Sequence, residues 1–152
     1  MKIVIANDHH GIKKKNIIIK YLNKKGHEVV DLGTNNTNIV DFPEYGFNVG
    51  NSVKNKIADL GILICGTGIG MSIAANKVKG IRCAKINNIK EAKLSKEHND
   101  ANVLAIPAYL SNFLIKDMLD VFIKTKPNTL ERYRRRNLML DEYEGEKIDN
   151  VD

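Results

Sequence analysis

Apolar and polar positions follow two rhythms along this chain: a strand rhythm of continuous or alternating apolar residues, and a helix rhythm of every third and fourth. Residues 2–6 follow the first and run into the polar cluster Asn7-Asp8-His9-His10-Gly11, which predicts a strand entering a loop. Over residues 12–25 the apolar positions Ile12, Ile17, Ile18, Tyr21 and Leu22 fall mostly on one helix face. Lys13, Lys14, Lys24 and Lys25 lie outside it, and Gly26 ends the helix. A second strand follows over residues 27–32. After a loop rich in Asn and Thr and then Pro43, the positions Tyr45, Val49, Val53 and Ile57 fit a second amphipathic helix. Residues 60–65 contain no polar side chain before Cys65, as a parallel strand covered on both faces requires. The turn Gly66-Thr67-Gly68-Ile69-Gly70 opens a third helix over residues 71–78. Strand 81–84, helix 89–96, strand 102–106 and helix 110–124 complete the series.

Five strands alternating with helices predict an α/β fold, a Rossmann-like, doubly wound, five-stranded parallel sheet with helices on both faces. Pro127 interrupts the last of these helices, and Thr129 is placed to cap another running from Arg132 to about residue 143. Residues 126–152 are therefore read as a C-terminal helical extension ending in an acidic tail that frays. With 152 residues, 43% of them hydrophobic, and no repeat or long linker, residues 1–152 suit a single domain. The chain has 24 Lys+Arg against 18 Asp+Glu, a net charge of +6, which favours anionic ligands without choosing between nucleic acid and a small phosphate ester. No apolar run approaches the roughly 20 residues that cross a bilayer, so no membrane role is expected. The N-terminus enters its strand pattern at once, which argues against a signal peptide and for a cytoplasmic protein. Two cysteines cannot build the disulfide framework of a small secreted domain, and no Cys/His spacing resembles a zinc site, so free thiols and no metal are expected.

In an open α/β sheet, ligands bind beyond the carboxyl ends of the strands. Asp8-His9 follows the first strand, and Cys65 with its glycine turn follows the third. The glycine turn lets backbone N–H groups converge at a helix N-terminus, where they can hold an anion or a developing oxyanion. Its G-x-G-x-G spacing departs from the dinucleotide fingerprint, and it lacks the Lys-Ser/Thr pair of a P-loop. The competing reading is tight strand-to-helix packing. Cys65 precedes this turn, where the positive end of the helix dipole favours a thiolate and a soft base; a buried strand-end cysteine is the alternative. His98, followed by Asn99 and Asp100, ionises near neutrality but is predicted at a helix-to-strand junction, nominally the opposite end of the sheet. Arg132 and Arg136 share a helix face at i, i+4 within a cluster that includes Arg134 and Arg135, a spacing suited to gripping phosphate. A solvated basic face is the alternative. Nucleic-acid binding would need a recognition signature that is not visible here, and aromatic residues make up only 6% of the chain.

Six segments taken together resemble the ribose-5-phosphate isomerase B family, within the wider group that includes galactose-6-phosphate isomerase subunits. They are Asp8-His9-x-Gly11, Asp31-Leu-Gly-Thr34, Asp41-Phe-Pro43, Leu60-Gly-Ile-Leu-Ile-Cys-Gly-Thr-Gly-Ile-Gly70, Ala74-Ala-Asn-Lys77 and Ser95-x-x-His-Asn-Asp-x-Asn-Val-Leu104. The resemblance implies interconversion of ribose 5-phosphate and ribulose 5-phosphate through an enediolate, with no metal or organic cofactor. Cys65 would carry the proton between C2 and C1, and His98 would assist opening of the furanose ring. Asp8, His9 and Asn99 would contact substrate, and Gly66, Thr67, Gly68, Ile69 and Gly70 would stabilise the enediolate. Arg132 and Arg136 would hold phosphate. The family forms dimers or tetramers with sites at subunit interfaces, which would let His98 serve a neighbouring cleft. Galactose-6-phosphate isomerase subunits tend to divide these residues between two chains, so their presence in one chain favours a homo-oligomer. Tyr109 stands where a third phosphate-binding arginine is common, Phe42 where a tyrosine is frequent, and Leu130-Glu131 where a glycine pair precedes the arginines. Six-carbon sugar phosphates, allose 6-phosphate or galactose 6-phosphate, are the alternative substrates, and a non-catalytic anion-binding or nucleic-acid-binding module is a third reading.

Overall fold

The computed structural model describes residues 1–143. Its elements, in chain order, are β1 (Lys2–Asn7), α1 (Ile12–Lys24), β2 (Glu28–Asp31), α2 (Phe42–Lys54), β3 (Leu60–Cys65), α3 (Ile69–Asn76), β4 (Cys83–Lys85), α4 (Ile89–Asn99), β5 (Val103–Pro107), α5 (Asn112–Lys124) and α6 (Glu131–Glu142). The five strands form one sheet in the order β2-β1-β3-β5-β4, and every pair is parallel. This is the expected α/β architecture, with the C-terminal helix following it. The frayed tail expected after it lies outside the described residues.

All six residues of the central strand β3 are buried, so its side chains supply both cores. On one face Ile62 and Ile64 meet Ile18 and Leu22 of α1 and Ile115, Met118 and Phe122 of α5. On the other Leu63 and Cys65 meet Val49 and Val53 of α2 and Met71 and Ala75 of α3. Each fully buried aliphatic side chain contributes about 1.5–3 kcal/mol of apolar transfer energy, so the sheet centre is the most strongly held part of the molecule. Helix α2 approaches α3 closely because Gly46 has no side chain: a Cβ there would lie 2.6 Å from Ala74 Cβ.

Several boundaries differ from expectation for local reasons. Helix α2 begins at Phe42 with Pro43 inside its first turn, where a missing N–H costs nothing, and it ends before Ile57, which is exposed. Helix α3 starts at Ile69, inside the glycine turn. Helix α4 runs on through His98 and Asn99, so these two residues form its last turn and not a junction. Thr129 is not the cap of α6: Leu130 occupies that position without a capping side chain, and Asn128 Oδ1 accepts the Leu130 N–H at 3.0 Å.

Helix α6 buries none of its residues. It is tied to the body through Arg82, which forms an ion pair with Asp141 and donates from Nε to the Asn99 carbonyl at 2.8 Å. Asn137 Nδ2 adds a bond to the His98 carbonyl at 3.2 Å. Among the described residues no helix is long and apolar enough to cross a membrane.

Candidate active site

The Cys65 turn is assembled from backbone constraints. Strand β3 ends at Cys65, and the chain must reverse into α3 within three residues. Gly68 makes the reversal at φ +76°, a left-handed conformation that side chains rarely adopt. Its N–H donates to Cys65 Sγ at 3.1 Å, and the Ile69 N–H is taken by Thr67 Oγ1 at 3.2 Å. The next two amides of this helical turn, those of Gly70 and Met71, have no acceptor inside the helix. The turn therefore combines a sulfur that already receives one amide donor with further donors at the positive end of a helix, an arrangement that can hold a negatively charged ligand oxygen beside the sulfur. Cys65 is buried, with 6% of its surface exposed.

The loop after β1 brings Asp8 and His9 to the same edge. Asp8 continues the β1–β3 ladder by donating its N–H to the Ile64 carbonyl at 3.1 Å. Its carboxylate accepts the His10 N–H at 2.9 Å and lies 3.5 Å from His10 Nδ1. The His10 ring lies against Gly66, where a Cβ would meet its Cγ and Nδ1 at 3.8 Å. His9 accepts the Val40 N–H at Nδ1, 3.4 Å away. Phe42 closes the other side of the turn, with its ring atoms 2.9 Å from where a Gly70 Cβ would stand.

Asp8, His9 and His10 hold side-chain ligand atoms within 4.8 Å of one another, the one such group among the described residues. One Asp8 oxygen is already engaged by the His10 N–H. A shared ion would have to compete with that bond and with the His10 ring facing the second oxygen.

His98, Asn99, Arg132 and Arg136 do not join this group within one chain. Helix α4 returns from the end of β4 to the start of β5, so its last turn sits at the amino edge of the sheet, opposite Cys65. There the His98 ring stacks on Tyr133, with centroids 4.7 Å apart and planes at 20°. The Arg132 guanidinium lies 4.9 Å from the centroid of the same tyrosine and donates from Nη2 to its hydroxyl at 3.3 Å. Arg136 lies one turn further along α6 and is exposed. Asn99 borders a cleft of about 500 Å³ that is also lined by Arg82, Cys83, Leu140 and Tyr143. The two clusters therefore stand apart within one chain, a thiol with amide donors at one edge and an imidazole with arginines at the other.

Comparison with known proteins separates this arrangement from other α/β sheets. The family described as Ribose/Galactose Isomerase matches residues 3–140. The chain belongs to that family. Among the isomerase's relatives, a Rickettsia bellii protein provisionally named as a sugar phosphate isomerase is 49% identical over 125 residues, covering 82% of this chain and 87% of the relative. Ribose-5-phosphate isomerase B of Clostridium thermocellum superposes with a TM-score of 0.90 at 43% identity, covering 93% of this chain and 96% of the other. Ribose-5-phosphate isomerase B of Mycoplasma genitalium, solved with bound ribulose-5-phosphate, gives a TM-score of 0.89 at 40% identity, covering 96% and 97%.

Two residues that pack on these groups, Tyr133 and Lys85, are not singled out by the sequence pattern, and His10 stands in the polar cluster after β1 with no role assigned to it. Tyr133 was hidden because an exposed helix gives no apolar pattern to single it out. Lys85 and His10 carry no motif; a cation ending a strand beside a glycine turn and a second histidine after Asp8 were the available signals.

Proposed function

We propose that this isomerase interconverts ribose 5-phosphate and ribulose 5-phosphate, with Cys65 as the base. The observation that carries the reading is the Cys65 sulfur on the Gly68 N–H at 3.1 Å, at the start of α3 and at the same sheet edge as Asp8 and His9. Moving a proton between adjacent carbons needs one base in reach of both and donors for the oxyanion that forms between them. A thiolate at the turn takes the proton from C2, the enediolate oxygens lie against the Gly66 to Gly70 turn, where the Gly70 amide has no acceptor inside the helix, and the same sulfur returns the proton at C1. Asp8 and His9 orient the sugar hydroxyls. The ligand named for the Mycoplasma genitalium relative supports the five-carbon substrate.

The second half-site comes from a neighbouring subunit in this reading. His98 assists ring opening, Asn99 contacts the sugar, and Arg132 and Arg136 hold its phosphate by charge-assisted bonds. Support comes from the placement of these residues at the opposite edge and from the apolar residues left exposed near both half-sites. These are Ile69 and Ile73 on α3 and Leu138, Met139 and Leu140 on α6, and a homodimer or homotetramer would cover them.

The test is incubation with ribose 5-phosphate in deuterated water, following ketose formation and isotope at the exchanged carbon. Wild-type protein is expected to form labelled ketose, and Cys65→Ala to lose turnover by at least about a thousandfold. Unchanged turnover in that variant refutes the assignment of the base. A six-carbon substrate is the second reading, carried by the Phe42 ring packed on Gly70 at the edge of the turn. Higher kcat/KM for allose 6-phosphate than for ribose 5-phosphate would select it.

A further inference from the structure

The proposed substrate carries a phosphate, and the carboxyl edge of the sheet holds a cation outside the roles assigned so far. Lys85 is the last residue of β4, the edge strand beside β5. Its side chain leaves on the α3 face, where its Cγ lies 3.3 Å from the position of a Gly68 Cβ. Gly68 is the residue whose amide holds the Cys65 sulfur. The lysine stem therefore runs along the outside of that turn.

The far end of the side chain is held by neutral groups. Lys85 Nζ donates to Asn87 Oδ1 at 2.6 Å, and the Tyr109 hydroxyl donates to the same oxygen at 3.4 Å. The amide's orientation is set from its other side, where Glu91 accepts the Asn87 N–H at 2.6 Å and Asn87 Nδ2 at 3.4 Å. With the amide nitrogen on a carboxylate, the amide oxygen faces Lys85 and Tyr109. Glu91 is itself fixed in the first turn of α4, its N–H on Asn88 Oδ1 at 2.9 Å. An ammonium held by one amide oxygen keeps two donors and its charge for a ligand. Lys15, by contrast, is bound to the Asp31 carboxylate at 2.9 Å, and Lys14 is engaged on the α5 side by the Leu110 carbonyl and Asn112.

We propose that Lys85, steadied by Asn87 and joined by the Tyr109 hydroxyl, forms a phosphate subsite on the same subunit as Cys65, facing the arginines of the neighbouring subunit. This rests on the isomerase reading above. Tyr109 brings a hydroxyl and no charge to this position, and Lys85 supplies the charge from the adjacent strand. The carboxylate of Glu91 sits behind Asn87, where it orients the subsite.

The test compares Lys85→Met and Lys85→Arg with wild type. It measures KM and kcat for ribose 5-phosphate, the inhibition constant of inorganic phosphate, and phosphate binding by calorimetry. Lys85→Met is expected to weaken phosphate inhibition and raise KM by about tenfold or more, with a smaller change in kcat. Lys85→Arg is expected to stay close to wild type. Wild-type values in Lys85→Met overturn the proposal, and so does an equal loss in Lys85→Arg, which would locate the effect in packing. If Lys85→Met does not fold, Lys85→Gln takes its place. If wild-type protein fails to convert ribose 5-phosphate, the five-carbon reading falls, while calorimetry with inorganic phosphate still decides the subsite.

Discussion

Cys65 ends the central strand with its sulfur on an amide at 3.1 Å, whereas Cys83 begins the edge strand with a thiol that burial pushes up from 9.0 to about 12. The two should differ in reactivity. Brief treatment with iodoacetamide at about pH 8 is expected to modify Cys65 with loss of turnover and to leave Cys83 untouched, as peptide mapping would show. Labelling of Cys83 first would contradict this. The raised value also has a consequence for stability. Between 9.0 and about 12 the unfolded chain releases the Cys83 proton while the folded chain retains it, so this thiol's contribution is intact below that window and is lost as pH rises through it. Lys15 is the residue whose role was least legible. It stands three before Ile18 and seven before Leu22, on the buried face of α1, yet the neighbouring lysines all read as solvent-facing. It is fully buried and bonds Asp31, the Thr34 carbonyl and Asn35. Lys15→Ala is expected to lower stability by about 2–3 kcal/mol, because the carbonyl and the carboxylate lose their shared partner. Urea denaturation would check it, and an unchanged midpoint would refute it.

At the scale of elements, legibility followed burial. Strand β3 was readable to the residue because both of its faces are covered and every position must be apolar. Edge strand β4 starts two residues and ends one residue later than its pattern predicts, since its three half-buried residues impose little pattern. Helix α4 was cut short because Glu97-His98-Asn99 carry no apolar rhythm, and it ends at Asp100 in a left-handed conformation at φ 44° that has no glycine to announce it. The approach of α2 to α3 was equally silent. It depends on Gly46 facing Ala74, and a Cβ at 2.6 Å requires one helix to move. Gly46→Val is expected to cost about 2 kcal/mol and, because α3 carries the donors around Cys65, to lower turnover at temperatures well below its melting point. Thermal melting alongside an activity assay would check both, and a variant with wild-type Tm and rate would show that the helices have slack.

For the whole molecule, the candidate site was legible as a set of residues but not as a single place. Asp8, His9 and the Cys65 turn were identified by their positions after strands, and the structure brings them together. His98, Asn99, Arg132 and Arg136 were candidates too, yet one chain holds them at the far edge of its sheet, where the His98 ring stacks on Tyr133 and Arg132 bonds its hydroxyl. Intra-chain periodicity contains no information about which surfaces meet between chains, and under the proposed function an assembly joins the two clusters. That separation gives the proposal its sharpest test. Cys65→Ala disables one half of every site it enters, and His98→Ala disables the other. If each site takes one half from each subunit, mixing and re-equilibrating the two inactive homo-oligomers creates sites in which both halves are native. For a dimer with random exchange, half the molecules are mixed and one of their two sites is intact, so about a quarter of wild-type activity should return. Subunit exchange would be confirmed independently by native mass spectrometry of mass-tagged chains. Exchange without recovered turnover would mean that each chain completes its own site, which would require His98 to reach the Cys65 edge by a rearrangement of α4 against β5.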